Sequence, residues 1–129
     1  IAEAGHKTGP NYSMQANLML KNTVWDAMAE AFETTEGDLA DRMMAALEAA
    51  QAEGGDIRGM QSAAMLVVRA EPTGLPWQDK LVDIRVDDSP EPLVELRRLL
   101  NVTRAYQKMN YGDELLAEEK FDEASEAYA

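Results

Sequence analysis

The sequence predicts an α+β domain, and three observations support this class. Apolar and polar residues alternate over residues 12–18, which is typical of a strand with one solvated face. A nearly continuous apolar run over residues 62–68 indicates a second strand. Two segments with helical apolar spacing lie between them, so we expect helices that cover a mainly antiparallel sheet.

The first two helices follow the strand over residues 12–18. Asn22 stands where an N-cap is expected, and residues 34–37 end the first helix at a glycine. Asp38 is the expected N-cap of the second helix, and Gly54-Gly55 provides a left-handed exit at its C-terminus. Both helices are amphipathic, so each is expected to cover the sheet with one face.

The second half of the domain begins with the strand over residues 62–68. Because this strand lacks polar alternation, we expect it to be covered on both faces and to lie at the centre of the sheet. Residues 72–76 break the chain, and residues 82–87 form a half-polar strand. Ser89 and Pro90 are expected to begin the next helix as cap and first helical residue.

Composition narrows the classes of function. The chain has 129 residues, 46% of them hydrophobic, which suits one domain with a modest core. A formal charge of −12 repels phosphate backbones and anionic lipids, so neither nucleic acid nor a membrane is an expected partner. Cysteine is absent, and the single histidine, His6, has no clustered carboxylates beside it, so we expect no metal and no cofactor. The cytoplasm is favoured, although composition leaves the compartment open.

Three ordered blocks carry a family resemblance: GHKTGPNYSMQAN over residues 5–17, GGDIRGMQSAA over 54–64, and VDIRVDDSPEPLVELRRL over 82–99. They resemble the C-terminal half of the domain-of-unknown-function family ten-twenty-eight, over roughly residues 4–106. That family is assigned to the N-terminal nucleophile hydrolase superfamily, so the resemblance implies an αββα sandwich. It also implies a Thr, Ser or Cys nucleophile whose free α-amine acts as its base.

Ile1 is not such a nucleophile. The chain starts without Met and ends within a helical pattern, so we expect a fragment that lacks the nucleophile-bearing N-terminal half and is inactive alone. Expected partners are that missing half or a second copy of the chain, together with a small amide substrate.

Asn17 is the candidate catalytic residue, as a group that orients a substrate carbonyl or contributes to an oxyanion hole. Ser13 and Gln15 share its strand face and are candidate substrate-binding residues. The alternative is that these three side chains only form hydrogen bonds with neighbouring loops.

A second group of candidate substrate-binding residues lies in the turn before the apolar strand. Asp56, Arg58, Gln61 and Ser62 are expected to border a cleft, with Arg58 able to bind a carboxylate in bidentate fashion. The alternative is a local turn in which Asp56 and Arg58 form an ion pair that directs the chain into the strand.

A third group lies on the half-polar strand. Arg85 and Asp87 are candidate substrate-binding residues, and with Asp83 and Asp88 they could present acid and base groups. The alternative is a salt-bridge network that joins the strand to a helix. The spacing of these carboxylates is not that of a calcium loop, so no cation is assigned.

The C-terminal segment resembles most of one tetratricopeptide repeat, so we divide the chain into a hydrolase-like part, residues 1–106, and an incomplete helical hairpin, residues 107–129. The matching positions are Gly112, Leu115, Phe121, Ala124 and Tyr128. The first helix should end near Glu119, and Phe121 should pack between the two helices. One repeat cannot bury its own apolar face, so it is expected to dock on the first part, pair with another subunit or continue into further repeats.

Two hypotheses of function follow. The first is an amidohydrolase of the N-terminal nucleophile type, in which this chain forms a wall of the substrate cleft. The second is a non-catalytic, hydrolase-like scaffold or protein-interaction module whose tail recruits a partner. The residue at a processed N-terminus distinguishes them, because only Thr, Ser or Cys can serve as the nucleophile.

Overall fold

A computed structural model describes residues 2–129 and confirms the α+β class. In chain order the elements are β1 (Glu3–Gly9), β2 (Tyr12–Met19), α1 (Val24–Thr34), α2 (Leu39–Ala52), β3 (Ala63–Val68), α3 (Pro76–Asp79), β4 (Lys80–Val86), α4 (Pro92–Ala117) and α5 (Phe121–Tyr128). The chain forms two compact units, one up to Leu96 and one from Arg97 to Ala129, and the boundary falls within α4.

The first sheet is the antiparallel hairpin of β1 and β2. Its inner face packs on α1, and the apolar cluster between sheet and helices contains Met14 of β2 and Phe32 of α1. Gly5 lies against the Trp25 ring, where an added Cβ would stand 2.6 Å from a ring carbon, so only glycine allows this approach. The strand predicted over residues 12–18 is confirmed, whereas β1 was not predicted because its residues are mostly polar or glycine.

The starts of α1 and α2 differ. The expected cap at Asn22 is wrong, because the N-cap of α1 is Thr23, and that side chain makes no capping bond. Its hydroxyl donates to a Glu53 carboxylate oxygen at 2.5 Å instead. Asp38 is confirmed as the cap of α2, since its carboxylate accepts from the Asp41 N–H at 3.0 Å. The left-handed exit is also confirmed, because Gly54-Gly55 has φ values of 114° and 61°.

The second sheet pairs β3 with β4 in antiparallel fashion. One face is buried and apolar, but the expectation that β3 is central and covered on both faces is wrong. Leu66 and Val68 on its other face are 55% and 53% exposed. Among the described residues β3 pairs only with β4, so it is not a central strand. The exposure of Leu66 and Val68 shows that no second layer of the described residues covers this face, although its sequence is apolar.

The helix that follows β4 begins later than expected. α4 starts at Pro92, not at Ser89 and Pro90. The Ser89 hydroxyl accepts the Glu91 N–H at 3.1 Å, which forms a turn before the helix. Pro92 is buried at the first helical position, where its missing N–H costs no helical hydrogen bond.

In the second unit α5 packs against the C-terminal part of α4. An added Cβ on Gly112 would lie 2.5 Å from the Tyr128 ring, and the Tyr128 hydroxyl donates to the Asp113 carboxylate. Ala124 is buried, as a close helix approach requires. The expected packing of Phe121 between the helices is wrong, because its side chain is 65% exposed.

Candidate cleft at the Asp56–Arg58 turn

The turn after α2 is organised by Asp56. Its carboxylate accepts the backbone N–H of Arg58 at 2.8 Å, Nε–H at 2.9 Å and Nη2–H at 2.6 Å. These bonds to the Arg58 side chain, and then the backbone bond, lower the pKa of Asp56 to about 2. Gly59, at φ 102°, donates its N–H to the Asp56 carbonyl at 3.0 Å. The ion pair is therefore local and built into the turn.

Backbone hydrogen bonds attach this turn to the end of β2. The Leu20 N–H donates to the Gly55 carbonyl, and the Ile57 N–H donates to the Leu18 carbonyl, both at 2.9 Å. Met19 and Asp56 form an isolated antiparallel bridge between these bonds. The turn is thereby held beside the first sheet before the chain enters β3.

The opposite side of the cleft is the segment before α4. The Ser89 N–H donates to the Gln61 carbonyl at 2.9 Å, and Gln61 Nε2 donates to Asp88 Oδ1 at 3.3 Å. These bonds join Gln61 to two residues that follow it by 27 and 28 positions in the chain. The result is a cleft of about 970 Å³, here called the turn cleft, lined by Met19, Leu47, Ala50, Gln51, Gly55, Asp56, Arg58, Gly59, Met60, Gln61, Ser62, Asp88, Ser89, Pro90, Pro92 and Leu93.

Arg58 supplies the positive charge of the turn cleft. Its side chain is 68% exposed, whereas that of Asp56 is 22% exposed. Asp56 engages the Nε and Nη2 edge of the guanidinium, and the Nη1 end is not used by that pair. A guanidinium can bind two carboxylates along different edges, so this arrangement is compatible with a carboxylate ligand.

The structure places Asn17, Ser13 and Gln15 on a different surface. They lie on the exposed outer face of the first sheet, in a hollow of about 830 Å³ that His6 and Thr8 also line. Gln15 Nε2 donates to Ser13 Oγ at 3.2 Å, and His6 stands opposite Gln15 in the strand register. We call this surface the polar face. Its hydroxyl, amide and imidazole groups can hydrogen-bond a polar ligand.

Arg85 and Asp87 line neither of these surfaces. Both side chains are exposed, and Arg85 Nε lies 4.0 Å from an Asp87 carboxylate oxygen. On the same strand Lys80 Nζ lies 3.2 Å from an Asp83 oxygen. The predicted site residues thus fall into three groups: four in the turn cleft, three on the polar face, and two at the end of β4, with Arg85 in the strand and Asp87 just after it.

Sequence reasoning missed most of the lining of the turn cleft. Leu47 and Gln51 come from α2, and Pro92 and Leu93 come from the start of α4. Their positions result from the pairing of distant loops, for which the sequence carries no local signal. Asp88 was noted within a carboxylate cluster, but its bond to Gln61 could not be inferred from spacing.

The described residues, 2–129, contain no group of three or more His, Asp or Glu side chains arranged to hold a metal ion. Within the same range no helix is both long and apolar enough to cross a membrane.

The molecule is thus defined as an α+β protein in which a glycine-rich, ion-paired turn and the start of a helix enclose a cleft. The chain belongs to a family of unknown function, DUF1028, whose family model matches residues 1–96. A crystal structure of a DUF1028 protein from Silicibacter pomeroyi is similar, with 30% sequence identity and a TM-score of 0.62. The similarity covers 76% of this chain and 40% of that one, so this chain spans well under half of its solved relative. No curated protein matches the sequence.

Proposed function

We propose that this chain forms part of the substrate cleft of an N-terminal nucleophile amidohydrolase that acts on a small amide bearing a carboxylate. The observation that carries the proposal is the exposed guanidinium of Arg58, held by Asp56 at the border of a cleft of about 970 Å³. The superfamily itself rests on the family resemblance of the three sequence blocks, and its reaction requires a nucleophile with a free α-amine.

In this proposal Arg58 binds the substrate carboxylate through its Nη1 end while Asp56 fixes the guanidinium plane. Gln61 and Ser62, which line the same cleft, hydrogen-bond the remaining polar atoms of the substrate. Arg85 and Asp87 are not assigned a contact with the substrate in the turn cleft, because neither residue lines it and both side chains are exposed.

Asn17 has the proposed role of orienting the scissile carbonyl or stabilising its oxyanion, with Ser13 and Gln15 beside it. Asn17 lines the polar face and Met19, two residues further along β2, lines the turn cleft. The two surfaces share no lining residue, but two residues of chain span at most about 7 Å, so the proposal requires a substrate that extends from the turn cleft past the end of β2 to Asn17.

The nucleophile is proposed to belong to a part of the DUF1028 domain that this chain does not span. Intact mass and N-terminal sequencing of the natural gene product test this directly. We expect Thr, Ser or Cys at a free N-terminus of the polypeptide or of a companion chain. Any other residue at every free terminus contradicts the mechanism, because no other side chain in this superfamily attacks the amide.

Kinetics on that natural product test the roles of the residues, with N-acyl amino acids and their uncharged amide analogues as substrates. Arg58→Gln should raise KM for the carboxylate substrates by about tenfold or more and leave the analogues unchanged. Arg69→Gln is the matched control, since Arg69 Nε donates to the Gln78 carbonyl and Arg69 does not line the cleft. Equal KM changes for both variants contradict a carboxylate site at Arg58.

Asn17→Ala should lower kcat by about 100-fold or more if Asn17 stabilises an oxyanion. Because Asn17 is exposed, the melting temperature should change little. A large loss of stability with unchanged kcat supports the purely structural role instead.

A second candidate function is a non-catalytic scaffold whose C-terminal hairpin recruits a protein. The contact of Gly112 with Tyr128 and the burial of Leu115 and Ala124 favour it, because these positions match the packing positions of a tetratricopeptide repeat. A natural product without a Thr, Ser or Cys terminus and without amide hydrolysis supports this scaffold. Hydrolysis that persists after removal of residues 107–129 assigns the activity to the first part.

A further inference from the structure

One residue, Leu18, separates the two surfaces that the proposed substrate must reach. Asn17 precedes it and lines the polar face, and Met19 follows it and lines the turn cleft. Leu18 itself has φ 55°, in the left-handed region that a bulky side chain rarely adopts. Glu119, the other such residue within 2–129, follows the end of α4, where a left-handed residue is ordinary. Leu18 lies within a strand, so its conformation needs another explanation.

The left-handed residue belongs to a β-bulge in the first sheet. The pairing of β1 with β2 shifts by one position between Gly5 and Glu3, so two residues of β2, Asn17 and Leu18, stand opposite one residue of β1. Where a bulge contains a left-handed residue, that residue is usually glycine. Bulges bend a strand and re-aim its side chains, and they are enriched next to active sites.

The bulge marks a change in the direction of the side chains along β2. Ser13, Gln15 and Asn17 form an exposed row on the polar face. In a regular strand Met19 would continue this row, because alternate residues share a face. Met19 is instead half-buried, lines the turn cleft and forms the isolated bridge with Asp56. The strand thus leaves the polar face and enters the turn cleft at Leu18.

Hydrogen bonds from the turn after α2 hold the backbone on both sides of the bulge. The Leu18 carbonyl accepts the Ile57 N–H, and the Leu20 N–H donates to the Gly55 carbonyl, both at 2.9 Å. A strained backbone conformation persists only where the surrounding structure determines it. The turn that carries Arg58 therefore also fixes the conformation of Leu18.

We propose that Leu18 is a positioning residue, whose left-handed backbone directs the Asn17 carboxamide toward the substrate that Arg58 binds. The turn is common to both groups, so it sets the position of Asn17 relative to the guanidinium. The catalytic consequence rests on the proposed amidohydrolase function. The orientation of Asn17 does not, because it can be measured without turnover. The alternative is that the half-buried Leu18 side chain contributes packing alone.

A first matched pair, Leu18→Gly and Leu18→Ala, tests the backbone conformation. Both variants remove the isobutyl group, but only glycine adopts φ 55° without strain. We expect the urea midpoint of Leu18→Gly to be the higher one by about 0.5 M. At an ordinary strand position the order is reversed, because glycine loses more conformational freedom on folding. A higher midpoint for Leu18→Ala therefore overturns the proposal.

A second pair, Leu18→Asn and Leu18→Val, tests the orientation of Asn17 by NMR of the isotope-labelled chain. Asparagine tolerates the left-handed region, whereas the β-branched side chain of valine disfavours it. Leu18→Val should shift the signals of the Asn17 carboxamide and the Met19 methyl group, and Leu18→Asn should leave both near their original positions. The Gln15 carboxamide, which precedes the bulge on the same face, is the internal control. Equal shifts in the two variants overturn the positioning role.

Kinetics on the natural gene product, with N-acyl amino acids as substrates, test the catalytic consequence. Leu18→Val should lower kcat about tenfold or more and leave KM unchanged, because Arg58 still binds the carboxylate. Leu18→Asn should keep kcat within about threefold of the unmodified protein. Equal losses of kcat in these two variants overturn the proposal and support a packing role.

The double variant Asn17→Ala/Leu18→Val shows whether Leu18 acts through Asn17. We expect its kcat to lie within about twofold of that of Asn17→Ala, because the positioned group is already absent. A further loss of about tenfold overturns the proposal. A natural product that hydrolyses no amide contradicts the proposed function, and the NMR comparison then decides the role of Leu18 by itself.

Discussion

The two sheets of this protein have similar inner faces and different outer faces. Both inner faces are apolar, with Met14 on the first sheet and Val67 and Ile84 on the second. The outer face of the first sheet is the polar face, whereas the outer face of β3 is an apolar row. The inner faces explain why the unit folds, whereas the outer faces differ in chemistry, with hydroxyl, amide and imidazole groups on the first sheet and aliphatic side chains on β3.

The largest expected effect distinguishes the two faces of β3. Val67 is 8% exposed and its neighbour Leu66 is 55% exposed. Val67→Asp buries an unpaired charge and should lower the free energy of unfolding by about 3–5 kcal/mol, whereas Leu66→Asp should cost less than about 1 kcal/mol. Urea denaturation of both variants measures the difference. Similar losses would mean that the face assignment of β3 is wrong.

An intermediate effect is expected for the inner face of the first sheet. Gly5→Ala places a methyl group against the Trp25 ring and should destabilise the protein by about 1–3 kcal/mol. His6→Ala, at the next and outward position, should stay within about 0.5 kcal/mol. Thermal unfolding compares the two variants, and an unaffected Gly5→Ala protein would show that α1 does not approach β1 this closely.

A smaller effect concerns the polar face itself. Gln15→Ala removes only an exposed hydrogen bond to Ser13, so the free energy of unfolding should change by less than about 0.5 kcal/mol. Met14→Ala, one position away and on the buried side, should cost about 2–5 kcal/mol. Urea denaturation of these two variants tests which face of β2 is buried, as the Val67 and Leu66 variants do for β3. A costly Gln15→Ala would indicate that the polar face has a structural role.

The smallest expected effect on stability is the pH dependence that comes from the Asp56–Arg58 pair, in the turn that joins the two sheets. The pKa of Asp56 is lowered to about 2, mainly by its hydrogen bonds with the Arg58 side chain, from an ordinary value of 3.8. Because the folded pKa is the lower one, the pair contributes its stability above about pH 4, and this contribution is lost as the pH falls toward 2.

Carboxyl-carbon NMR can follow the titration of Asp56. Its midpoint should lie near pH 2, and Arg58→Gln should move it upward. The matched variant Arg69→Gln should leave the midpoint in place, because Arg69 bonds to the Gln78 carbonyl. A midpoint near 4 in the unmodified protein would show that the ion pair does not persist in solution.

Local patterns predicted most of the elements. Alternation identified β2 and β4, helical spacing identified α1 and α2, and Asp38 marked the start of α2. β1 escaped prediction because Glu3–Gly9 has too few apolar residues to show alternation, and this strand forms by pairing with β2. The start of α4 was misplaced because Pro90 and Pro92 can each occupy the first helical position, and Ser89 is a better cap residue than Glu91.

The candidate site also contains some features that the sequence predicted and others that depend on contacts between distant segments. Asp56 and Arg58 are two positions apart, so the sequence was enough to predict their ion pair. Its location beside β2, and the approach of Asp88 to Gln61, depend on hydrogen bonds between distant segments. The three groups of candidate residues, which lie in separate segments of the sequence, therefore occupy three surfaces.

Local sequence was enough to predict β2, β4, α1 and α2, the cap at Asp38, the Gly54-Gly55 exit and the ion-paired turn, because these features depend on residues within about four positions. Tertiary structure decided that one face of β3 stays exposed, that α2 and the start of α4 line one cleft, and that Asn17 lies on a separate surface. These outcomes depend on which distant segments pair. The polarity of a side chain indicates whether it tends to be buried, but it does not specify which distant residue will lie beside it.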